Sequence, residues 1–156
     1  MSKLPTFPVE GGCACDRVRF RLNAAPRSVY LCHCTDCQTI TTSAFVEGAQ
    51  VRADDLEIIQ GDLKEWERIH TTSGARPKQY SCSHCGVRIY SLSDKAPGIK
   101  TLRAGTLDDT TWLNPAGSIW LQSAQPWVVL PEDHLTFDDG GDFKAIAVKW
   151  QAQWVD

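Results

Sequence analysis

The 156-residue chain carries 16 lysines and arginines against 19 aspartates and glutamates, a net charge of −3, and 42% of its residues are apolar. That length suits one domain with material for a real core, and the composition is that of a globular protein. The charge argues against the concentrated basic face a nucleic acid needs, and no run approaches the roughly 20 apolar residues of a membrane span, so neither partner is expected.

Residues 1–10 read as a loose lead-in, because Pro5 and Pro8 give no helical start. The opening MSKLPTFPVEGG also lacks the apolar run of a signal peptide, which makes the cytoplasm the expected compartment. RVRFRL at 17–22 alternates apolar and basic residues, the pattern of a half-buried strand. Further strand candidates are SVYLC (28–32), LEIIQG (56–61), KEWERIH (64–70), PKQYSC (77–82), VRIYSL (87–92), IKTLRAG (99–105), SIWL (118–121) and WVVL (127–130). Asn23, Gly48, Gly61, Gly74, Pro97–Gly98, Asn114–Pro115 and Gly117 break these runs as turns. Residues 36–42 suit a turn or two of helix, DDGGD at 138–142 an acidic turn, and 143–154 a terminal helix or strand. Short strands with frequent turns predict a mainly β domain. The six tryptophans are expected as core or interface anchors.

Seven cysteines, an odd number in a compartment that keeps thiols reduced, point to metal rather than to disulfides. They form three groups: Cys13 and Cys15; Cys32, Cys34 and Cys37; Cys82 and Cys85. A closed structural zinc takes four ligands, and an open zinc takes three, so seven divides as four plus three. Cys82-Ser-His-Cys85-Gly86 is a turn whose two thiolates bite one ion, with Gly86 free to take a positive φ. Cys13 and Cys15 share a face if the segment is extended, and Gly11–Gly12 permits close approach. The two pairs lie 69 positions apart (82 − 13), so one ion would clip an early strand to a late one. Buried thiols or disulfides are the competing reading of these four.

Cys32, Cys34 and Cys37 are read as ligands of a second zinc with an open position; the competing arrangement completes a second closed site with a residue from elsewhere. His33 is expected on the opposite face and His84 as a spacer, so neither counts as a ligand. Three thiolates around zinc leave it a poor generator of hydroxide but a good site for another soft ligand. A substrate thiol losing its proton there, beside a small aldehyde, would make or break a carbon–sulfur bond.

GGCACDRVRF, CHCTDCQTITTSAF, YSCSHCGVRIY, RAGTLDD and SIWLQSAQPW, in this order over roughly residues 10–140, resemble the glutathione-dependent formaldehyde-activating enzyme family, which includes centromere protein V. The resemblance implies a beta-tent-like fold of twisted antiparallel sheets. It implies structural zinc at Cys13, Cys15, Cys82 and Cys85, and a second zinc at Cys32, Cys34 and Cys37. The activity it implies is condensation of formaldehyde with glutathione to S-hydroxymethylglutathione, a carbon–sulfur lyase reaction in reverse. The alternative is a non-catalytic zinc-binding module for a protein partner. On this reading residues 1–9 lead in, 10–140 form the zinc-binding domain, and 141–156 pack on or extend it. Asp16 stands where the family often has glycine, and Gln38–Thr39 where basic residues are common. Arg52, Arg68, Arg76 and Lys78 are then the cations available to glutathione's carboxylates.

Overall fold

Val18, Phe20 and Leu22 are buried, while Arg17, Arg19 and Arg21 between them reach solvent. In the computed structural model, which describes residues 3–69 and 71–155, this alternation forms the second strand. In chain order the strands are β1 (Val9–Gly12), β2 (Arg19–Leu22), β3 (Ser28–Cys32), β4 (Val46–Arg52), β5 (Leu56–Gln60), β6 (Leu63–Glu67), β7 (Lys78–Cys82), β8 (Arg88–Leu92), β9 (Ile99–Arg103), β10 (Gly117–Ile119) and β11 (Leu135–Thr136). Helix α1 spans Thr35–Thr41 and helix α2 spans Phe143–Ala152. The fold is mainly β.

The strands form two sheets. One has the order β1-β2-β5; the other has the order β11-β10-β3-β4-β9-β8-β7-β6. Pairing is antiparallel except that β10 runs parallel to both β3 and β11. Phe20, Leu22 and Leu56 of the small sheet join Val29, Ala49, Val51, Ile89 and Leu102 of the large one in a single core. A fully buried leucine, isoleucine or phenylalanine contributes about 1.5–3 kcal/mol, so these side chains fix which face of each strand turns inward.

The AGTLDD segment ties the sheets together. Leu107 bridges Gly11, where a side chain would overlap the Thr106 carbonyl and the Phe20 ring. The Asp108 amide donates to the Glu10 carbonyl at 3.0 Å, and the Arg19 guanidinium forks onto the Asp108 carboxylate. The acidic turn at 138–142 ends in Asp142, whose side chain accepts from the amides of Lys144 and Ala145 and caps α2. Ile146 and Trp150, four apart, bury the inner face of that helix, and the Trp150 indole donates to the Pro26 carbonyl at 3.1 Å.

Three strands depart from the sequence reading. β1 starts at Val9, inside the stretch read as a lead-in. β4 runs through Gly48, which the sequence marks as a turn. β11 was not expected. Conversely, 127–130 forms no strand, and Trp127 and Val129 are exposed. The run at 64–70 stops as strand at Glu67, and His70 lies outside the described residues.

Candidate metal centres

The structure gathers the cysteines into two clusters, one of four and one of three, with the sulfurs in each within 4.8 Å of one another. In the first, Cys13 Sγ lies 3.5 Å from Cys15 Sγ, and Cys15 Sγ lies 3.8 Å from Cys82 Sγ. Four sulfurs held about 2.3 Å from a zinc stand about 3.8 Å apart, so the cluster matches a zinc tetrahedron. No disulfide links any of the cysteines.

Local backbone explains the convergence. Cys13 and Cys15 follow β1 in a tight turn rather than an extended segment: the Asp16 amide donates to the Cys13 carbonyl at 3.3 Å. Asp16 there takes φ 60, the left-handed conformation that glycine adopts freely and that aspartate tolerates better than most residues. On the other side Cys82 ends β7, and its turn closes through Gly86 at φ 77, whose amide donates to the Cys82 carbonyl at 3.0 Å. The amides of His84 and Cys85 point at Cys82 Sγ from 3.4 and 3.5 Å, and that of Val18 points at Cys13 Sγ from 3.3 Å. Such donors stabilise sulfur in its charged form. His84 is exposed between the two ligands of its turn.

The second cluster joins β3 to α1. Strand β3 stops at Cys32, so Cys34 reaches the cluster as the N-cap of α1, its sulfur accepting from the Cys37 amide at 3.3 Å. Hydrogen bonds from the Cys32 and Cys37 thiols hold Cys34 far below its ordinary pKa, and sharing with Cys34 pushes Cys32 up. His33 turns away and is wholly buried, its ring 5.2 Å from that of Phe45; burial, followed by the charge of His134, keeps it neutral.

The two clusters differ in their surroundings. Cys32, Cys34 and Cys37 open into a cavity of about 180 Å³. Tyr30 lies on its wall, two residues before Cys32 and so on the same face of β3. Burial keeps the Tyr30 hydroxyl protonated. Arg88 and Arg103 reach the wall from β8 and β9. Arg88 donates to Gln79 Oε1 at 2.9 Å; Arg103 donates to the same oxygen at 3.4 Å and to Ser91 Oγ at 2.8 Å. Arg68, Thr71, Thr72, Ser73 and Pro77 line the cavity opposite the cysteines, and Asp36 latches Arg68 and Thr72 to the ligand loop. The Asp36 carboxylate accepts from Arg68 at 2.7 Å and from the Thr72 amide at 2.8 Å.

Of the four cations expected from sequence, only Arg68 lines this cavity. Arg76 and Lys78 pair with Glu67 and Glu65 on the outer surface, and Arg52 is exposed at the end of β4. Gln38 faces away as a brace, donating to the carbonyls of His33 and Ser123 at 2.8 Å, so its neutrality does not affect the cavity. Sequence reasoning missed Tyr30, Arg88 and Arg103. The period-two pattern placing Arg103 and Thr101 on one face was the available signal.

The family model for glutathione-dependent formaldehyde-activating enzymes matches residues 8–123, which is 116 of the 156 residues. Among solved structures, the crystal structure of a Rhodobacter sphaeroides protein superposes with a TM-score of 0.52 at 17% identity. It covers 82% of this chain and 98% of that one, a likeness of fold alone. With three quarters of its length matched, the chain belongs to the glutathione-dependent formaldehyde-activating enzyme family.

Proposed function

We propose that this protein is a zinc-dependent carbon–sulfur lyase acting on a thiol–aldehyde adduct, with formation of S-hydroxymethylglutathione from glutathione and formaldehyde as the family reaction. The observation that carries this reading is the asymmetry between the clusters: four sulfurs close on themselves, while three open into a cavity with a tyrosine and three arginines on its wall. Cys13, Cys15, Cys82 and Cys85 would hold a structural zinc, and Cys32, Cys34 and Cys37 a second. When bound, the second zinc lowers the pKa of a thiol at its free position, making the nucleophile available near neutral pH.

The chain's own residues supply the rest. In condensation, the thiol loses its proton, sulfur adds to the carbonyl carbon, and the carbonyl oxygen takes a proton as its second bond to carbon breaks. The lyase direction reverses each step, without net oxidation. Tyr30, kept protonated by burial and lying on the Cys32 face, is the donor we assign to that oxygen. Arg88 and Arg103 offset the negative charge of three thiolates around a divalent ion. Ile40, Val46 and Trp120 complete apolar parts of the wall and limit water at the reacting carbon.

The test is turnover of thiol–aldehyde adducts by zinc-loaded protein, measured above the spontaneous rate in buffer. Cys34→Ser should remove activity while leaving the fold, whereas Cys82→Ser should unfold the chain. Rates equal to buffer for every adduct, with both zincs bound, would favour the non-catalytic module.

A further inference from the structure

We propose, building on the reading above, that the cavity beside Cys32, Cys34 and Cys37 selects a short mercapto acid, whose single carboxylate docks on Arg88 and Arg103, rather than a whole tripeptide thiol. The two guanidinium groups share one wall and one acceptor, Gln79 Oε1. Gln79 itself is only 2% exposed. Arg103 also donates to the Ser91 hydroxyl, and its Nε is buried without a hydrogen-bond partner. Among the described residues no carboxylate pairs with either arginine, although every other close arginine–carboxylate pair in the fold lies outside this wall or belongs to the Asp36 latch. Two like charges held together with neutral acceptors leave an anion's place open. Burial, reinforced by the charge of Arg103, brings Arg88 down to about 9, still cationic at neutral pH.

Charge and size then define the ligand. A divalent zinc with three thiolates sums to −1, Arg68 and Asp36 cancel as a pair, and Arg88 and Arg103 bring the cavity to +1, so an adduct with one carboxylate neutralises it. The volume of about 180 Å³ compares with an engineered 150 Å³ cavity that accepts benzene. It therefore encloses a fragment of about six to eight non-hydrogen atoms, the size of 3-mercaptopropionate or its hydroxymethyl adduct. Glutathione is several times larger, and most of it would stand outside.

The experiment is calorimetry on the zinc-loaded full chain with 3-mercaptopropionate, 2-mercaptoethanol, propionate and glutathione, paired with turnover of the corresponding formaldehyde adducts. The expected result is 3-mercaptopropionate binding about 10- to 100-fold tighter than 2-mercaptoethanol, the worth of charge-assisted hydrogen bonds. Propionate should compete, and kcat/KM for the adducts should follow the same order through KM. Arg88→Gln should erase the gap and Arg88→Lys retain part of it, with melting curves confirming the fold; the wild-type ligand series stands without either variant. Equal affinity for 3-mercaptopropionate and 2-mercaptoethanol, or tighter binding of glutathione than of the mercapto acid, would overturn the proposal. An arginine-dependent preference with no turnover would keep the anion subsite and refute the lyase; turnover of the glutathione adduct alone would do the reverse.

Discussion

Gly48→Ala tests the link between fold and site at one atom. Gly48 sits in β4 between β3 and β9, opposite Tyr30 on one side and Arg103 on the other. A Cβ there would lie 2.9 Å from Tyr30 Cζ, 3.0 Å from its hydroxyl oxygen and 3.0 Å from Thr101 Cγ2. The ring has little room to yield, since Tyr30 is 7% exposed and packs edge-on against Phe143 with centroids 4.9 Å apart. Overpacking of this kind costs about 1–3 kcal/mol, and the reduced freedom of the unfolded chain returns about 0.4–1 kcal/mol. The net loss of about 1–2 kcal/mol corresponds to a melting point lower by about 2–8 °C in a chain of this size. Because the displaced group is the proposed proton donor, kcat should fall by about 10-fold or more while zinc content stays unchanged. Thermal melting and steady-state turnover measure both. A variant that melts with wild type and keeps its kcat would refute the assigned role of Gly48 as space for Tyr30.

Asp16→Gly relieves a left-handed aspartate at φ 60, and the gain roughly offsets the flexibility added to the unfolded chain, so the melting point should hold or rise by a few degrees; a fall of more than about 4 °C contradicts this. Asp36→Ala removes the acceptor of Arg68 and of the Thr72 amide, and hydrogen exchange at residues 71–77 should quicken at least about 10-fold, with unchanged protection rates counting against the latch. In the metal-free three-cysteine cluster Cys34 is held down while Cys32 and Cys37 are pushed up, so zinc must displace two protons. Rising pH therefore favours the bound form, and affinity at this site should increase about 100-fold per pH unit near neutrality; a pH-independent affinity from metal-buffered titration would contradict that charge state.

Spacing alone made the cysteine partition legible, because C-x-C, C-H-C-x-x-C and C-x-x-C-G are local signals and the four-plus-three count follows from zinc's ligand number. Most strands were legible too, wherever β-branched and aromatic residues alternate between turns, as in SVYLC and VRIYSL. β4 was hidden by its own function: Gly48 reads as a breaker, yet it sits mid-strand because the Tyr30 ring occupies the space a side chain would fill. WVVL reads as a strand by propensity, but it pairs with no strand among the described residues and Trp127 and Val129 stand in solvent. The cavity wall was illegible for a different reason. Arg88 and Arg103 meet only through the β7-β8-β9 register, whereas Arg76 and Lys78, equally basic in sequence, are consumed by Glu67 and Glu65.

Zinc content per folded chain, by elemental analysis of wild type beside Cys34→Ser and Cys37→Ser, most directly tests the claim that four sulfurs close on one ion while three leave another open. Two zincs per wild-type chain, and one in each variant with the melting transition largely retained, is the predicted result. A folded, reduced wild-type chain with no zinc, or with one zinc that both variants keep in full, would contradict it.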